Sequence, residues 1–216
     1  MNRPYVIINC AMSADGKIAS PTRKQILISC EEDIKRMYRL RNNCDAVLVG
    51  IGTILTDDPK LTVKETYVQH PKQPLRVILD SKGRTPPKAL ALNDVSKTLI
   101  ITAKGNKKTY NQSNVEVVEC DTDSKGFIDV TYALDLLYKK GIRKLLVEGG
   151  GTIIWSFLKN RVVDDLYTFI GPYIIGGKDT PTVADGEGIT TGEQITLIIN
   201  EVKQEGSGVL IHYHPV

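Results

Sequence analysis

The sequence contains few of the residues that build metal centres and disulfide frameworks. Its 216 residues include three histidines and four cysteines, and the cysteines show neither a C-x-x-C pair nor regular spacing. We therefore expect reduced thiols, a cytoplasmic location and no metal site. His212 and His214 lie two residues apart, which leaves a weak metal site on a terminal strand open. A packed or solvent-facing strand end is the favoured interpretation of this pair.

Long apolar runs and a strong charge of one sign are lacking as well. No segment approaches the roughly 18 uninterrupted apolar residues that a membrane-spanning helix needs. The net charge is only +3 and the basic residues are scattered, which argues against a nucleic-acid-binding surface. With 41% hydrophobic residues, the chain is expected to form one globular domain over residues 1–216, without membrane or nucleic-acid partners.

Short apolar runs rich in β-branched residues recur along the chain, and several are apolar at successive positions. This pattern is typical of strands that are buried on both faces of a sheet. The predicted strands are Tyr5–Cys10, Ala46–Val49, Arg76–Leu79, Thr98–Thr102, Val115–Val118, Leu145–Val147 and Leu166–Ile170.

Helical patterns lie between these strands. Ser29 and Glu32 form a capping box, which predicts that a helix begins at this point. A second helix is predicted from about Asp129 to Lys140, with Gly141 as its C-terminal stop.

The C-terminal part follows another pattern. Ile195–Gln204 and Val209–His214 predict an antiparallel hairpin, and Asp179–Gly192 predicts an exposed loop that can serve as a lid. The fold class that these elements indicate is α/β, with a mostly parallel central sheet flanked by helices and an antiparallel C-terminal hairpin.

The most informative segment is a run of three glycines, Gly149–Gly151. It follows Glu148 at the end of a predicted strand and precedes Thr152, which opens a predicted helix. Glycines let another group approach the backbone closely, and a helix N-terminus presents unpaired N–H groups and a positive dipole end. The segment is therefore a candidate anion site, most often for phosphate. A tight strand-to-helix turn without a ligand is the alternative.

Two further segments at predicted strand ends carry polar residues. Lys17 follows Asp15-Gly16, a strong turn former, and extends either into a cleft or into solvent. The second segment, Val49–Pro59, has a Gly-x-Gly pair beside Thr53 but lacks the third glycine of a Rossmann fingerprint. Near its end, Asp57 either caps a turn or accepts hydrogen bonds from sugar hydroxyls.

A basic segment follows the predicted strand Arg76–Leu79. Ser81, Lys82 and Arg84 suit an extra phosphate such as the 2′-phosphate of NADP, and a solvated basic turn is the alternative. Because ligands collect at strand ends in open α/β sheets, the position of all these segments favours a ligand-binding function.

Four segments together resemble the reductase domain of riboflavin biosynthesis, a family with a dihydrofolate-reductase-like fold. They are Met12–Ala19, Val49–Thr62, Val77–Arg84 and Val147–Thr152, and they occur in the family's order over most of the chain. The resemblance implies a single dihydrofolate-reductase-like domain, an oxidoreductase that uses NADPH (with NADH left open), and a homodimer. A zinc deaminase, which bacterial members often carry before this domain, is not expected, because the sequence has no H-x-E and no P-C-x-x-C motif.

A free-standing reductase resembles the archaeal and fungal type, which implies that reduction precedes deamination. The expected substrate is then 2,5-diamino-6-ribosylamino-4(3H)-pyrimidinone 5′-phosphate, whose ribosyl group becomes ribityl. Two alternatives stay open: a reductase of the same fold that acts on the deaminated pyrimidine or on a pterin, and a non-catalytic nucleotide-binding module.

The resemblance places Lys17 and Glu148 near the reacting ribose. Our hypothesis is that Lys17 protonates or polarises the ribose oxygen during ring opening, while Glu148 binds the ribose hydroxyls and favours the cation. Arg41 is expected at the substrate 5′-phosphate, with Lys64 as a second contact, and an ordinary helix C-terminal cation is the alternative for Arg41. The residues assigned to the cofactor by resemblance are Thr53, Asp57, Ser81, Gly149, Gly150, Gly151 and Thr152, and charge alone adds Lys82 and Arg84.

Overall fold

The computed structural model describes residues 2–190 and 192–216. In chain order, its elements are β1 (Tyr5–Ser13), α1 (Glu31–Asn42), β2 (Ala46–Gly50), α2 (Ile51–Asp57), β3 (Leu75–Leu79), a 3-10 helix η1 (Leu90–Leu92), β4 (Thr98–Ala103), β5 (Val115–Cys120), α3 (Val130–Lys139), β6 (Lys144–Gly149), α4 (Gly151–Lys159), β7 (Asp165–Gly171), β8 (Leu197–Glu205) and β9 (Gly208–Pro215).

The chain forms two compact units. The first comprises Tyr38–Leu146 together with the N-terminal residues up to Tyr5, and the second comprises Val6–Met37 and Val147–Val216. The expectation of a single domain over residues 1–216 stays a prediction.

The first unit is built on parallel strands in the order β5-β4-β3-β2, with the first half of β6 beside β2. The register pairs Gly50 of β2 with Leu79 of β3, so the carboxyl ends of these two strands meet at one edge of the sheet. Every residue of β2 is buried, which confirms that its continuous apolar run belongs to a strand covered on both faces.

Two helices of the first unit differ in what determines them, which is a local cap in α3 and buried side chains in α2. The side chain of Asp129 caps α3 by accepting hydrogen bonds from the backbone N–H groups of Thr131 and Tyr132, and the predicted helix is confirmed. Helix α2 was not expected from the sequence. It is only seven residues long, begins after the N-cap Gly50 and is held by the buried side chains of Ile51 and Ile54.

A buried arginine on β3 forms hydrogen bonds with the loop between η1 and β4. Arg76 on β3 is completely buried, and burial lowers the pKa of its guanidinium to about 10. The guanidinium donates to the Asn93 side-chain oxygen at 2.8 Å and to the carbonyls of Asn93 and Ser96 at 2.5 Å each. A longer contact of 3.5 Å reaches the carbonyl of Lys60. Backbone dipoles therefore surround this charge.

The second unit contains the strand order β1-β7-β9-β8, with the last half of β6 beside β1. Strands β1 and β7 are parallel, whereas β9 is antiparallel to both β7 and β8, so the predicted C-terminal hairpin is confirmed. The prediction of an α/β fold with a mostly parallel central sheet is confirmed with it. None of the helices in the described part of the chain combines the length and apolar character needed to cross a bilayer.

The start of α1 differs from the predicted capping box. The first helical hydrogen bond joins the Ile34 amide to the Cys30 carbonyl, so Cys30 and not Ser29 is the N-cap. The box was therefore misplaced by one residue. Three acidic residues in the first turn still suit the positive end of the helix dipole.

Candidate functional site

The glycine turn, Gly149–Gly151, lies where β6 passes into α4 in the second unit. Gly149 has a φ of +105°, a conformation that favours glycine, and the peptide bond between Gly149 and Gly150 is cis. Gly150 is the N-cap of α4 and brings no side-chain acceptor to its first turn, where Thr152 is exposed. This helix N-terminus therefore has the positive dipole end and a first turn without a side-chain cap, both of which suit a phosphate. Glu148, half-buried at the end of β6, immediately precedes it.

The segment Thr180–Glu187, which follows β7 in the chain, packs on the glycine turn. We call this segment the strap. An added Cβ on Gly151 would lie 2.4 Å from the carbonyl oxygen of Thr182 and 2.9 Å from Oδ2 of Asp185. The Asp185 amide also donates to the Gly151 carbonyl at 3.2 Å. A close approach within the chain thus accounts for glycine at position 151.

The strap continues along α4. An added Cβ on Gly186 would lie 2.0 Å from the Trp155 ring, so these two residues are in direct contact. The Trp155 indole N–H donates to Glu187 at 2.9 Å, and Lys159 pairs with the same carboxylate. Because of these contacts, part of the predicted loop over Asp179–Gly192 packs against α4. Thr191, inside the predicted loop, lies outside the described residues.

The other end of the strap meets the turn that carries Lys17. Lys17 forms an antiparallel bridge with Thr182, and its Nζ lies 3.5 Å from the Thr180 carbonyl oxygen. The Lys17 amide donates to Oγ of Ser13 at 2.9 Å. In the second unit, the strap therefore contacts both the turn of Lys17 and the start of α4.

Asp15 holds the same turn against the segment that follows β7. Its carboxylate accepts hydrogen bonds from Oγ of Ser13 at 2.6 Å, from the Ile175 amide at 3.1 Å and from the Gly176 amide at 2.7 Å. These hydrogen bonds lower the pKa of Asp15 to about 2, and the bond from Ser13 has the largest effect. The sequence predicted a turn here, but the role of Asp15 depends on partners 160 residues away.

In the first unit, Thr53 and Asp57 lie on α2, directly after β2. Both side chains are half-buried. Asp58 follows in a left-handed conformation with a φ of 41°, and its carboxylate accepts from the Leu90 amide at 2.8 Å. Leu61, a few residues on, is buried and also has a positive φ, of 52°. The chain therefore makes two sharply constrained bends immediately after Asp57.

The predicted basic turn, Ser81–Arg84, follows β3 at the same edge of the first unit's sheet. Ser81 is half-buried, whereas the side chains of Lys82 and Arg84 are exposed. Because β2 and β3 end in register, this turn and α2 leave the sheet at neighbouring positions. Hydroxyl, carboxylate and cationic groups are thereby brought to one sheet edge, which suits a polar phosphorylated ligand.

Arg41 and Lys64 converge on a pair of stacked tyrosines. The rings of Tyr38 and Tyr67 lie 4.8 Å apart with an interplanar angle of 12°. The Arg41 guanidinium and the Lys64 ammonium lie 5.4 and 5.6 Å from the centre of the Tyr38 ring. The Arg41 guanidinium also donates to the Thr62 carbonyl at 3.0 Å. Two cations on one aromatic ring form a place where a phosphate can be neutralised.

Several neighbours of these residues were not found from the sequence. Tyr38 was noted only as an apolar helix position, and Asp185 and Trp155 were not singled out. Their partners come from distant parts of the chain, so spacing gave no signal. Within the described residues there is no group of three or more His, Cys, Asp or Glu side chains that could hold a metal ion. His212 is instead 2.8 Å from the carboxylate of Asp165.

Comparison with known proteins identifies relatives over nearly the whole chain. The family model described as the RibD C-terminal domain matches residues 4–211. A protein of Archaeoglobus fulgidus named 2,5-diamino-6-ribosylamino-4(3H)-pyrimidinone 5′-phosphate reductase is 43% identical over 192 residues, covering 86% of this chain and 88% of its own. A Methanothermobacter thermautotrophicus protein of the same name is 40% identical, with 98% of both chains covered.

Solved structures show the same fold. A Thermotoga maritima protein described as a diaminohydroxyphosphoribosylaminopyrimidine deaminase/5-amino-6-(5-phosphoribosylamino)uracil reductase has a TM-score of 0.83 at 27% identity. The match covers 99% of this chain and 57% of that longer one. The riboflavin biosynthesis reductase of Saccharomyces cerevisiae has a TM-score of 0.76 at 20% identity, with 99% and 90% of the chains covered.

Proposed function

Because this chain belongs to the RibD C-terminal domain family, we propose that it reduces 2,5-diamino-6-ribosylamino-4(3H)-pyrimidinone 5′-phosphate with NADPH in riboflavin biosynthesis. The observation that carries this function is the 40% identity over 98% of both chains with a relative of that name. The name of the Thermotoga maritima relative includes reduction of a uracil, the deaminated form, but this chain covers only 57% of it. The two relatives named for the diamino compound, which are matched over 88% and 98% of their own length, therefore favour that compound, and a pterin reductase or a non-catalytic module is not favoured.

The reaction sets clear demands on the site. The closed ribosylamine ring has to open to an imine, a proton has to reach the ring oxygen, and a hydride then adds to C1′. NADPH supplies that hydride when it is bound. The remaining tasks, which are binding, orientation and proton transfer, belong to the side chains of the protein.

We assign the proton transfer to Lys17 and the orientation of the ribose to Glu148. The backbone of Lys17 pairs with Thr182 of the strap, and this pairing supports a fixed position for Lys17. Glu148 lies at the carboxyl end of β6, next to the glycine turn. A carboxylate at this position can accept hydrogen bonds from ribose hydroxyls and stabilise the positive charge of the protonated imine.

The phosphate groups of substrate and cofactor are assigned to separate residues. Arg41 and Lys64, which share the Tyr38 ring, are proposed for the substrate 5′-phosphate. The N-terminus of α4, at the glycine turn, fits the cofactor diphosphate because no side chain of its N-cap occupies the first turn. The cofactor residues proposed with it are Thr53, Asp57, Ser81, Lys82, Arg84 and Thr152.

Turnover on two substrates tests this function. NADPH oxidation is followed by absorbance with the diamino compound and with its deaminated counterpart, and we expect faster turnover of the diamino compound. Faster turnover of the deaminated compound would reverse the proposed order of steps. NADPH binding without oxidation on either compound would favour the non-catalytic module.

Two variants test the assigned roles. We expect Lys17→Met and Glu148→Gln each to lower kcat by about 10²-fold or more while NADPH affinity stays unchanged. A general acid, the role of Lys17, typically contributes that much, and a group that stabilises developing charge, the role of Glu148, contributes about 10²–10³-fold. Lys24→Met, which replaces an exposed lysine of the same unit, is the control. Full turnover in both site variants would refute the roles and leave the enzyme assignment standing.

We also propose a homodimer formed through one face of the β8–β9 hairpin. The register places Ile199 opposite Tyr213 and Val202 opposite Ile211, so these four apolar side chains share a face. Ile199 and Val202 are 59% and 57% exposed, an unusual degree for paired strands. A second copy would cover this face with an identical apolar face. The expected cytoplasmic location stays a prediction.

Sedimentation measures the oligomeric state. We expect the protein to sediment as a dimer and Val202→Lys to sediment as a monomer, because a charge would be buried at the contact. Val95→Lys, at a 55% exposed apolar position of the first unit, should stay dimeric. A monomeric wild-type protein would contradict the proposal.

A further inference from the structure

We propose that Asp80 is a positioning residue that fixes the basic turn Ser81–Arg84 and thereby sets the preference for a cofactor with a 2′-phosphate. This inference rests on the proposed function, because it takes NADPH as the cofactor. It concerns a residue that touches neither nucleotide nor substrate in our assignment and acts through the turn that follows it.

The side chain of Asp80 closes the turn from inside. Asp80 directly follows β3 and is completely buried. Its Oδ2 accepts hydrogen bonds from the backbone N–H and from the hydroxyl of Thr85, both at 2.7 Å. Its own carbonyl accepts from the Gly83 amide at 3.1 Å. The residues immediately before and after the basic turn are thus joined, and the backbone between them has few other conformations available.

The turn is also held from outside by the loop that follows β4. Gly83 has a φ of 62°, and a Cβ on it would lie 2.6 Å from the Asn106 carbonyl oxygen. The Ala103 amide donates to the Ser81 carbonyl at 3.2 Å. The hydroxyl of Tyr110 donates to the Thr85 carbonyl at 3.0 Å. With the inner bonds, these contacts form a turn whose backbone is fixed before any ligand arrives.

The second oxygen of Asp80, Oδ1, is buried without a hydrogen-bond partner in the described part of the chain. Among the described residues, Oγ1 of Thr102 is also buried without such a partner. Leu79 pairs with Ile101, which places Asp80 and Thr102 opposite each other one step beyond the ladder. Each buried polar atom without a partner lowers stability. The fold therefore keeps a costly acceptor in the side chain that joins the two ends of the basic turn.

The consequence falls on the side chains that the turn carries. Lys82 and Arg84 are exposed and long, so their own conformations are not fixed by packing. When the backbone of the turn is already fixed, binding of a 2′-phosphate has to order only the side chains of Lys82 and Arg84, and the entropic cost of binding is smaller. NADH has no 2′-phosphate and makes no use of these cations. Loosening the turn should therefore weaken NADPH binding and leave NADH binding unchanged.

Dissociation constants for both nucleotides, measured by fluorescence titration, test the inference. We expect Asp80→Ala to weaken NADPH binding by about tenfold, the equivalent of ordering roughly one more residue on binding, with NADH affinity unchanged. Asp80→Asn keeps an oxygen acceptor and should retain most of the preference. The kcat at saturating NADPH should stay the same in both variants.

The chain offers a matched control. Asp129 accepts from the amide and the hydroxyl of Thr131 at 2.8 and 2.6 Å, in the same unit but at the start of α3. Asp129→Ala removes the same two kinds of bond and a third, longer one from the Tyr132 amide at 3.2 Å, so it should lower stability without changing the ratio of the two dissociation constants. If Asp80→Ala does not fold, Thr85→Val is the variant to measure, because it removes only the hydrogen bond from the Thr85 hydroxyl. It should lower the ratio of the NADH dissociation constant to the NADPH dissociation constant by less than Asp80→Ala.

The outcomes separate this inference from the proposed function. A wild-type protein that shows no preference for NADPH would overturn the proposed cofactor, whatever the variants do. A preference that survives in Asp80→Ala would overturn the role of Asp80 and leave the proposed function intact. Equal weakening of NADPH and NADH would also overturn it, since a merely structural residue would have that effect.

Discussion

Replacing Gly151 by alanine should destabilise the protein even though the residue begins a helix. Alanine is favoured over glycine in helices by at most about 1 kcal/mol. Its Cβ, however, would lie 2.4 Å from the Thr182 carbonyl oxygen, a backbone atom that cannot move without the strap. Overpacking typically costs about 1–3 kcal/mol, and displacing the strap also endangers the bond from the Asp185 amide, worth about 1 kcal/mol. The expected net loss in the free energy of unfolding is about 1–3 kcal/mol.

Gly52 provides the control, because it too lies in the first turn of a helix. A Cβ at Gly52 would meet no atom within 4 Å, so Gly52→Ala should leave stability unchanged or raise it by up to about 1 kcal/mol. Urea unfolding followed by circular dichroism gives both values. If Gly151→Ala is as stable as the wild-type protein, the close packing of the strap does not explain the glycine, and an external ligand becomes the better reason for it.

Three further predictions follow from buried and titrating groups. Arg76→Met removes three short hydrogen bonds that the buried guanidinium donates. Bonds from a charged donor are worth about 1.5–3 kcal/mol each, so the variant should lower the free energy of unfolding by about 3 kcal/mol or more. The exposed Lys139→Met should change it by under about 0.5 kcal/mol, and similar values in urea unfolding would refute the reasoning. Because hydrogen bonds lower the pKa of Asp15 in the folded state to about 2, its contribution to stability is present above the unfolded value of 3.8 and is lost as the pH falls through 2. Asp15→Asn should therefore flatten the decline of stability over this interval, and parallel stability–pH curves would contradict this. Among the thiols, Cys30 is half-exposed, whereas Cys10 is buried and burial raises its pKa to about 11. A thiol reagent should therefore label Cys30 first, and Cys30→Ser should abolish the fast phase of labelling.

The elements that could be predicted from sequence are those whose pattern is local. The run Ala46–Val49 is apolar at every position because its strand is covered on both faces, and Asp129 marks the start of α3 through its own side chain. Helix α2 could not be predicted in this way. Its start is a glycine, a second glycine lies inside it, and the burial of Ile51 and Ile54 stabilises it through tertiary packing.

The candidate site shows the same division. Its residues were found because they follow strands, and strand ends can be predicted from sequence. What holds them could not be predicted, because Lys17 meets Thr182 and Asp15 meets Gly176 across more than 150 residues of chain. Gly151 is instructive, since the sequence suggested that an external group approaches it, whereas the structure places the strap there.

The surroundings of Arg76 have a consequence for how the loops of the first unit can vary. Apart from one side-chain amide, its guanidinium is bound by main-chain carbonyls, and every amino acid supplies a carbonyl. Residues such as Ser96 can therefore be exchanged freely as far as this contact is concerned, while a deletion that moves the carbonyl would leave the charge exposed to an apolar interior. Loop length, more than loop composition, should be the property that an engineer of this protein has to keep.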